Sequence, residues 1–438
     1  MSLPRYPEYK DSGVEWLGEV PAHWNVRRLQ DVAQVINGYP FDSRLFCQDG
    51  GYPLIRIRDL DAVETAARYA GDFVREALVE NGDVLIGMDG EFNVGRWLGS
   101  EEALLNQRMC CVRSPSSTLT TFIRHALPIP LKAINEVTYA TTVKHLSSGD
   151  VKSIRIALPD PSELAQISRF LDRETARIDA LIAEQETLLA LLAEKRQATI
   201  SHAVTRGLDP NVPMKDSGIA WLKEVPAHWE VRPLKAIVST PITDGPHETP
   251  NFVDDGVPFV SAEAVSKGVI NFEKIRACIS VEDDARYAKK YRPQLHDIYM
   301  VKSGATTGVT AIVDGRTDFN IWSPLAAIRC KQEVAHPQFV LSYLRSKNFQ
   351  EGVALNWSSG TQQNIGMGVL GDLQVALPPI NEQKNISDLL GAQLRVLDAL
   401  QGAAERALPV LRERRSALIS AAVTGQIDVR GLADRDAA

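Results

Sequence analysis

Between residues 161 and 209 apolar positions recur at steps of three and four, the spacing of one helix face, and the pattern returns between residues 380 and 428. In the first stretch Ile178, Leu181, Gln185, Leu188 and Leu192 mark a coiled-coil seam with one polar member, drifting one place to Ile200 and Ala203. In the second the steps fall at Leu397, Leu400, Ala404, Ala407, Leu411, Arg414 and Leu418. Each stretch predicts a long two-faced helix. Pro409 lies inside the second, where it removes a hydrogen bond and should bend the rod near Glu405. Elsewhere short apolar runs at 52–57, 82–86, 257–260 and 297–301 are punctuated by Gly, Pro and Asp, and these predict strands. A short helix over 121–133, interrupted by Pro128 and Pro130, is also expected. An apolar strand and a proline stop, at 154–159 and 373–379, lead into each long helix.

The two helical stretches superpose at a constant offset of 219 residues with no gap from Ala157 to Asp209. Seam positions alone would match in any two coiled coils. Here Glu163/Glu382, Asp179/Asp398, Glu194/Glu413 and Arg196/Arg415 coincide as well, and matched polar residues point to duplication. The segment 10–29 returns as 215–234 with fifteen of twenty positions identical, at an offset of 205. The chain is therefore one unit written twice: a Trp-containing strap, a variable block, and a helix. Each block is expected to be mostly β with a few helices. Within the blocks only landmarks survive: Asp83/Asp297, Gly90/Gly304, Asn106/Asn320, and the loop 142–146 opposite 361–365. The predicted fold is α+β, two mostly-β blocks separated by two long helices packed as an antiparallel coiled coil with pseudo-twofold symmetry. Its boundaries are 1–156 (strap and first block), 157–209 (first helix), 210–375 (strap and second block), 376–430 (second helix) and 431–438 (tail). The symmetry also expects the C-terminus beside the N-terminus.

At 438 residues the chain exceeds one hydrophobic core, and its 44% hydrophobic content is that of a globular protein. No apolar run approaches the roughly 18 residues of a membrane span, and the first residues lack the apolar centre of a signal peptide, so a cytoplasmic protein is expected. Cys47, Cys110, Cys111, Cys278 and Cys330 form an odd set without a C-x-x-C pair, which argues for buried thiols over disulfides or zinc. A net charge of −7 argues against nonspecific coating of nucleic acid but says nothing of local basic faces.

Catalytic signatures fail one by one. The stretch 304–309 has neither the spacing nor the lysine of a P-loop and is expected to be a turn of small residues. No G-x-G-x-x-G follows a strand to open a cofactor helix, and no H-E-x-x-H or G-x-S-x-G occurs. Asp89, Glu91, Asp283 and Asp284 lack a suitably spaced lysine or histidine and are expected to be solvated loop residues. His23 and His228, each beside a strap tryptophan, are expected to be structural rather than bases or ligands. The tryptophans should anchor the strap through their large apolar area.

The doubled K-D-S-G-x-x-W-L-x-E-V-P-A-H-W strap, the L-P-x-x-x-E-Q over 377–383 and the helices closing in A-V-T-x-x-x-D together resemble the specificity subunit of type I restriction-modification enzymes over essentially the whole chain. Three features depart from the pattern: Pro409 interrupts the second helix, Leu164 stands where the other copy has Gln383, and 143–145 differ from 362–364. The resemblance implies a non-catalytic subunit whose two target recognition domains each read one half of a split, asymmetric site in double-stranded DNA. It implies that the helices act as a spacer and dock two methyltransferase subunits, joined by restriction (motor-nuclease) subunits. No cofactor belongs to this chain; S-adenosylmethionine, ATP and Mg²⁺ belong to the partners. The alternatives are a coiled-coil protein adaptor, which leaves two divergent blocks unexplained, and a single-chain nuclease or transferase, which needs a site that the sequence lacks.

Loops that align but differ in chemistry are the candidates for DNA contact: Arg56, Arg96, Gln107, Arg108, Lys144 and His145 in the first block, and Lys302, Ser303, Thr306, Thr307, Gln362, Gln363 and Asn364 in the second. Gln and Asn pair with adenine through two hydrogen bonds. Ile178, Leu181, Leu188, Leu192, Leu397, Leu400, Leu411 and Leu418 are the candidate helix-pairing and partner-docking positions. A four-residue insertion after Leu189 adds roughly 6 Å and about 40° of rotation to a helical spacer. One base pair adds about 3.4 Å and about 36°. The insertion is expected to lengthen the nonspecific gap by about one pair and leave both half-sites unchanged. Methylation mapping in cells carrying the insertion checks this, and altered half-sites with a fixed gap would refute the spacer model.

Overall fold

Both long helices form, over Pro161–Arg206 and Ile380–Val423. Asp160 opens the first by accepting the N–H groups of Ser162 (2.9 Å) and Glu163 (3.0 Å). Each helix ends at a glycine in the left-handed region, Gly207 (φ 77°) and Gly425 (φ 71°), where a side chain would be strained. The second helix remains helical on both sides of Pro409. This computed structural model describes residues 3–137, 144–266, 268–359 and 363–432. It divides into two units: residues 1–185 with 406–438, and residues 186–405. Each unit thus holds half of each long helix.

In the first unit the beginning of one helix lies against the end of the other. Leu164, Ile167 and Leu171 share a core with Ala422 and Val423, and about two turns further along Arg415 forks onto Asp179 (2.7 and 3.1 Å). In the second unit Ile200, Ala203 and Val204 share a core with Ile386 and Leu390, and Arg196 pairs with Asp398. Within each unit the pairing is antiparallel, and each ion pair is the image of the other under the 219-residue shift.

The seam keeps Ile178, Gln185 and Leu192 but shifts by one position between them. Ile178 and Leu192 are buried, but Leu181 and Leu188 are about 40% and 39% exposed, and Leu400 is 50% exposed. The inward positions are Ile178, Ile182, Gln185, Leu189 and Leu192, matched by Leu397, Gln401, Ala404, Leu408 and Leu411. Steps of four-three replace three-four; apolar residues stand in both rows at 181/182 and 188/189, so the sequence pattern of the first helix alone does not separate them.

Two larger sheets recur in both blocks, with corresponding strands in the same order. In the first unit a four-stranded antiparallel sheet runs Val94–Arg96, Val84–Gly87, Met109–Arg113, Gln34–Asn37. Its counterpart in the second runs Thr310–Ile312, Ile298–Val301, Leu325–Ile328, Thr243–Asp244. The second sheet of the first unit runs Phe46–Cys47, Arg68–Tyr69, Tyr52–Ile55, Ala103–Leu105, Leu78–Val79. That of the second unit runs Phe252–Val253, Ala277–Ile279, Val257–Val260, Asn320–Ile321. The strands Val84–Gly87 and Ile298–Val301 are buried at every residue, which is why they read as continuous apolar runs.

The landmarks now have causes. Asp83, 5% exposed, takes Arg113 in a forked pair, and fully buried Asp297 takes Arg329 in the same way. The side-chain oxygens of Asn106 and Asn320 each accept the next residue's N–H at 2.9 Å. Two helices follow each four-stranded sheet: Ser117–Ala126 and Pro128–Val137, then Pro337–Leu344 and Lys347–Asn356. Pro128 and Pro130 therefore begin a second helix rather than interrupt one, since the first turn needs no N–H donor.

The straps lock each unit to its helices. Trp24 and Trp229 are fully buried, while His23 and His228 each bond a first-turn glutamate, Glu163 and Glu382, at 2.8 Å. Both histidines are structural. Buried Gln383 accepts the His336 N–H (2.7 Å) and donates to Val334 and Pro378 carbonyls; at the matched position Leu164 packs into the core. The Asp428 N–H donates to the Pro4 carbonyl (2.8 Å) and Arg430 lies over the Tyr6 ring, so the two ends of the chain meet. Of the five free thiols, Cys110, Cys111 and Cys330 are buried and Cys47 and Cys278 are half-buried, a partial correction.

His125, 4% exposed, faces Arg124 on its own helix, Asp172 on the first long helix at 3.3 Å, and the charge of Arg415 on the second. Burial pushes its imidazole below the ordinary value of 6.5, against the pull of Asp172. The unfolded chain then binds more protons than the folded one just below that value. Stability is expected to be full above pH 6.5 and to decline as the pH falls below it, with the decline reduced in His125→Gln, as read from denaturant midpoints.

Candidate nucleic-acid interface

In both units the loop before the long helix is pinned to the turn after the buried central strand by the same pair of main-chain hydrogen bonds. In the first unit the Leu146 N–H donates to the Met88 carbonyl (2.8 Å) and the Gly90 N–H to the Lys144 carbonyl (3.1 Å). In the second the Ile365 N–H donates to Lys302 (2.8 Å) and the Gly304 N–H to Gln363 (3.0 Å). Gly90 (φ 76°) and Gly304 (φ 107°) adopt positive φ at this point, which explains why these glycines survive in both copies. The clasp holds Lys144 and His145 beside Asp89 in one unit, and Gln363 and Asn364 beside Ser303 in the other.

The side chains on the two clasps differ completely. In the first unit Asp89 accepts from His145 Nδ1 (2.8 Å) and Arg108 Nη1 (3.3 Å), and the Arg108 carbonyl takes the Met88 N–H. Asp89 is thus engaged by two side chains, not simply solvated. Arg108 itself has φ 70°, a rare conformation for a side-chain-bearing residue and one associated with functional turns. Lys144 Nζ bonds Asn135 Oδ1 at 3.0 Å. In the second unit the exposed Gln363 and Asn364 form a short hairpin strand, and Thr307 Oγ1 donates to the Gly304 carbonyl (2.7 Å) within the expected turn. Thr306 is exposed beside it. Gln362 lies outside the described residues, as do Thr142, Val143 and Thr361.

Gln107 is exposed next to Arg108, and its N–H donates to the Tyr39 carbonyl. Arg56 closes the neighbouring strand Tyr52–Ile55 and is largely covered, 3.6 Å from Asp59. Arg96 is not brought to this cluster. It pairs with Val84 at the far end of the strand whose other end enters the clasp, roughly 10 Å away at about 3.3 Å per residue. Lys302 is only 12% exposed and is held by the buried Asp244 (3.2 Å), so it braces the loop from beneath. Burial would raise the Asp244 carboxyl, but Lys290 and Lys302 hold it below its usual range. Asp283 and Asp284 are not solvated loop acids but lie in the helix Val281–Tyr287, where buried Asp283 accepts the Asn251 N–H and an Arg286 donor and Asp284 accepts from Asn320.

Two exposed residues escaped the sequence reading: Tyr39 (46% exposed) and His247, whose side chain is 70% exposed above Asp244. Both follow a glycine, Gly38 and Gly245, that packs directly on the carbonyl of a neighbouring strand end, Asn106 or Ile321. The signal was the glycine in each copy, but at an offset of 207, between those of the strap and the helices.

Among the described residues no cluster of His, Cys, Asp and Glu is arranged to hold a metal ion, and no helix is long and apolar enough to cross a membrane. One sheet-and-helix fold, present twice, with unlike side chains on a constant backbone clasp, defines a duplicated recognition subunit. The chain belongs to the type I restriction modification DNA specificity family, whose domain it matches twice, over residues 21–189 and 226–403. It is similar to the EcoBI type I restriction enzyme specificity subunit of Escherichia coli, 28% identical over 98% of this chain and 91% of that one. It is 24% identical to the MjaVIII specificity subunit of Methanocaldococcus jannaschii, over 94% of this chain and 95% of that one. In fold it resembles a chain from a structural study of complex assembly and conformational transition of the type I restriction-modification system, with TM-score 0.63 and 18% identity over 92% of this chain and 98% of that one. The HsdS subunit of Thermoanaerobacter tengcongensis gives TM-score 0.52 and 16% identity over 93% of this chain and 98% of that one. This chain is a non-catalytic specificity subunit, the DNA-recognition part of a restriction-modification complex.

Gln363→Ala is expected to relax discrimination at one base pair of the second half-site, by roughly 5- to 150-fold for a lost paired contact of about 1–3 kcal/mol. The relative methylation rates of duplexes varied at single positions measure it. An unchanged preference removes Gln363 from the reading set.

Proposed function

We infer that each clasp faces the DNA and reads one half of a split, asymmetric site. Arg108, Lys144, His145, Gln107 and Tyr39 would act in the first half, and Ser303, Thr306, Thr307, Gln362, Gln363, Asn364 and His247 in the second. Arg56 and Lys302 support these loops, and Arg96 is left to contacts elsewhere on the first block. The observation that carries this reading is the identity of the backbone clasp beside the complete difference of its side chains. A recognition module changes its specificity in this way while keeping its fold.

DNA and the modification and restriction subunits are the partners of a specificity subunit. The finer assignment is ours: two methyltransferase subunits dock along the helices, where Leu181, Leu188 and Leu400 stand exposed, and restriction subunits complete the assembly in the cytoplasm. S-adenosylmethionine, ATP and Mg²⁺ act on those partners. The chain's net charge of −7 leaves it little phosphate neutralisation of its own. It is expected to bind its site well only together with the methyltransferase subunits.

The test is a methylation map of the host genome with and without this chain. A two-part motif with a fixed gap should be present with the chain and vanish without it. Survival of the motif in the deletion strain, or tight sequence-specific binding by the purified chain alone at physiological salt, would contradict this account.

A further inference from the structure

In the second unit the pair of helices after the four-stranded sheet is bonded directly to a long helix. The Lys347 N–H donates to Ser201 Oγ (2.8 Å) and Gln197 Nε2 donates to the Arg345 carbonyl (3.0 Å). The 219-residue shift places Pro128, Ser420 and Ser416 of the first unit at Lys347, Ser201 and Gln197. Proline has no N–H to give Ser420, and the Ser416 side chain is too short to replace that of Gln197. Both bonds are therefore lost. A groove of about 720 Å³ opens there, lined by Arg124, Pro128, Lys132, Arg415, Ser416 and Ser420.

The lining holds four basic residues, Arg124, Lys132, Arg412 and Arg415, against two acidic ones, Asp61 and Glu136, with Arg415 also forked onto Asp179 outside it. Arg124 gives Nη2 to Asp172 (3.3 Å), while its Nε is buried with no partner. Burial, then the charges of Arg96 and Arg415, push its guanidinium below its ordinary value, as expected where cations outnumber their counter-charges. The two carboxylates on the wall are occupied. Asp61 accepts the Arg96 N–H at 3.0 Å, and Glu136 lies 3.9 Å from Lys132. In the other unit the matched seat is filled by polypeptide main chain, which favours a peptide over a nucleic acid as occupant here.

We propose that this groove seats a carboxylate-bearing polypeptide segment of the methyltransferase partner, so that the first unit holds its partner through a contact that the second unit makes within itself. The proposal rests on the docking of methyltransferase subunits inferred above. Two consequences follow: the two docking positions are unequal in strength, and the acidic segment is ordered only at the first.

Photo-crosslinking in cells that carry the whole complex tests it. The crosslinking residue p-benzoylphenylalanine replaces Lys132, whose side chain is 79% exposed and bears no load in the core. A methyltransferase peptide containing Asp or Glu should be captured. Capture of DNA, of this chain alone, or of nothing overturns the proposal. Independently, Ser416→Trp fills the groove from an exposed position, and it is expected to weaken one of the methyltransferase binding steps roughly tenfold at an unchanged melting temperature. Unchanged affinity for both steps refutes it. If the wild-type chain fails to bind the methyltransferase at all, the functional reading falls with it. If it binds while both tests are negative, only the groove assignment falls.

Discussion

Neither long helix can bury its own apolar row, and that constraint organises the molecule. A helix of 46 residues with an apolar seam along one side needs a second surface of the same length. Each unit finds one by taking the beginning of one helix and the end of the other. The Asp179–Arg415 and Asp398–Arg196 pairs are partly exposed and contribute on the order of 0.2–1 kcal/mol each. Their value lies in register: each arginine meets an aspartate in this antiparallel alignment, in both units. The stability comes from the apolar ends, where Trp24 and Trp229 are buried among helix residues and removal of such a ring costs about 3–5 kcal/mol.

Because the helices are shared, the first unit is discontinuous in sequence, and the contact between Pro4 and Asp428 follows. The duplicated strap, the two helices, the strand runs and the meeting of the termini were all legible in the sequence. Each rests on a periodicity or on repeated residues whose chemistry is fixed by burial. The buried ion pairs Asp83–Arg113 and Asp297–Arg329 show why. An unpaired charge at these positions would cost about 3–5 kcal/mol, so divergence around them spares both partners.

What stayed hidden depended on rows and partners rather than on residue type. Leu181 and Leu188 looked like seam because apolar residues at three-four and four-three steps are equally periodic, and only packing selects the row. Lys302 looked like a DNA contact because it is basic and sits in the right loop. Asp244, which is 58 positions away in sequence and forms no motif with it, takes its charge inward. Asp89 looked solvated for the converse reason, since His145 and Arg108 reach it from separate strands and loops.

If the clasps are the reading sites inferred above, such a chain changes what it reads without refolding. Its two hydrogen bonds are made by main-chain atoms, so they constrain conformation and not side-chain identity, except where positive φ demands Gly90 and Gly304. Every other position on the loop is free to vary within what solvent and neighbouring strands allow. In one copy the result is a charged cluster of Asp89, Arg108 and His145; in the other it is an uncharged set of Ser303, Gln363 and Asn364. A charged cluster of this kind spends part of its arginine on an internal carboxylate, which fixes the guanidinium's direction before any base arrives. The amide set sits instead on a short main-chain hairpin, Ser358–Ser359 paired with Gln363–Asn364. The same backbone clasp thus carries an ion-paired cluster in the first unit and a hairpin strand in the second.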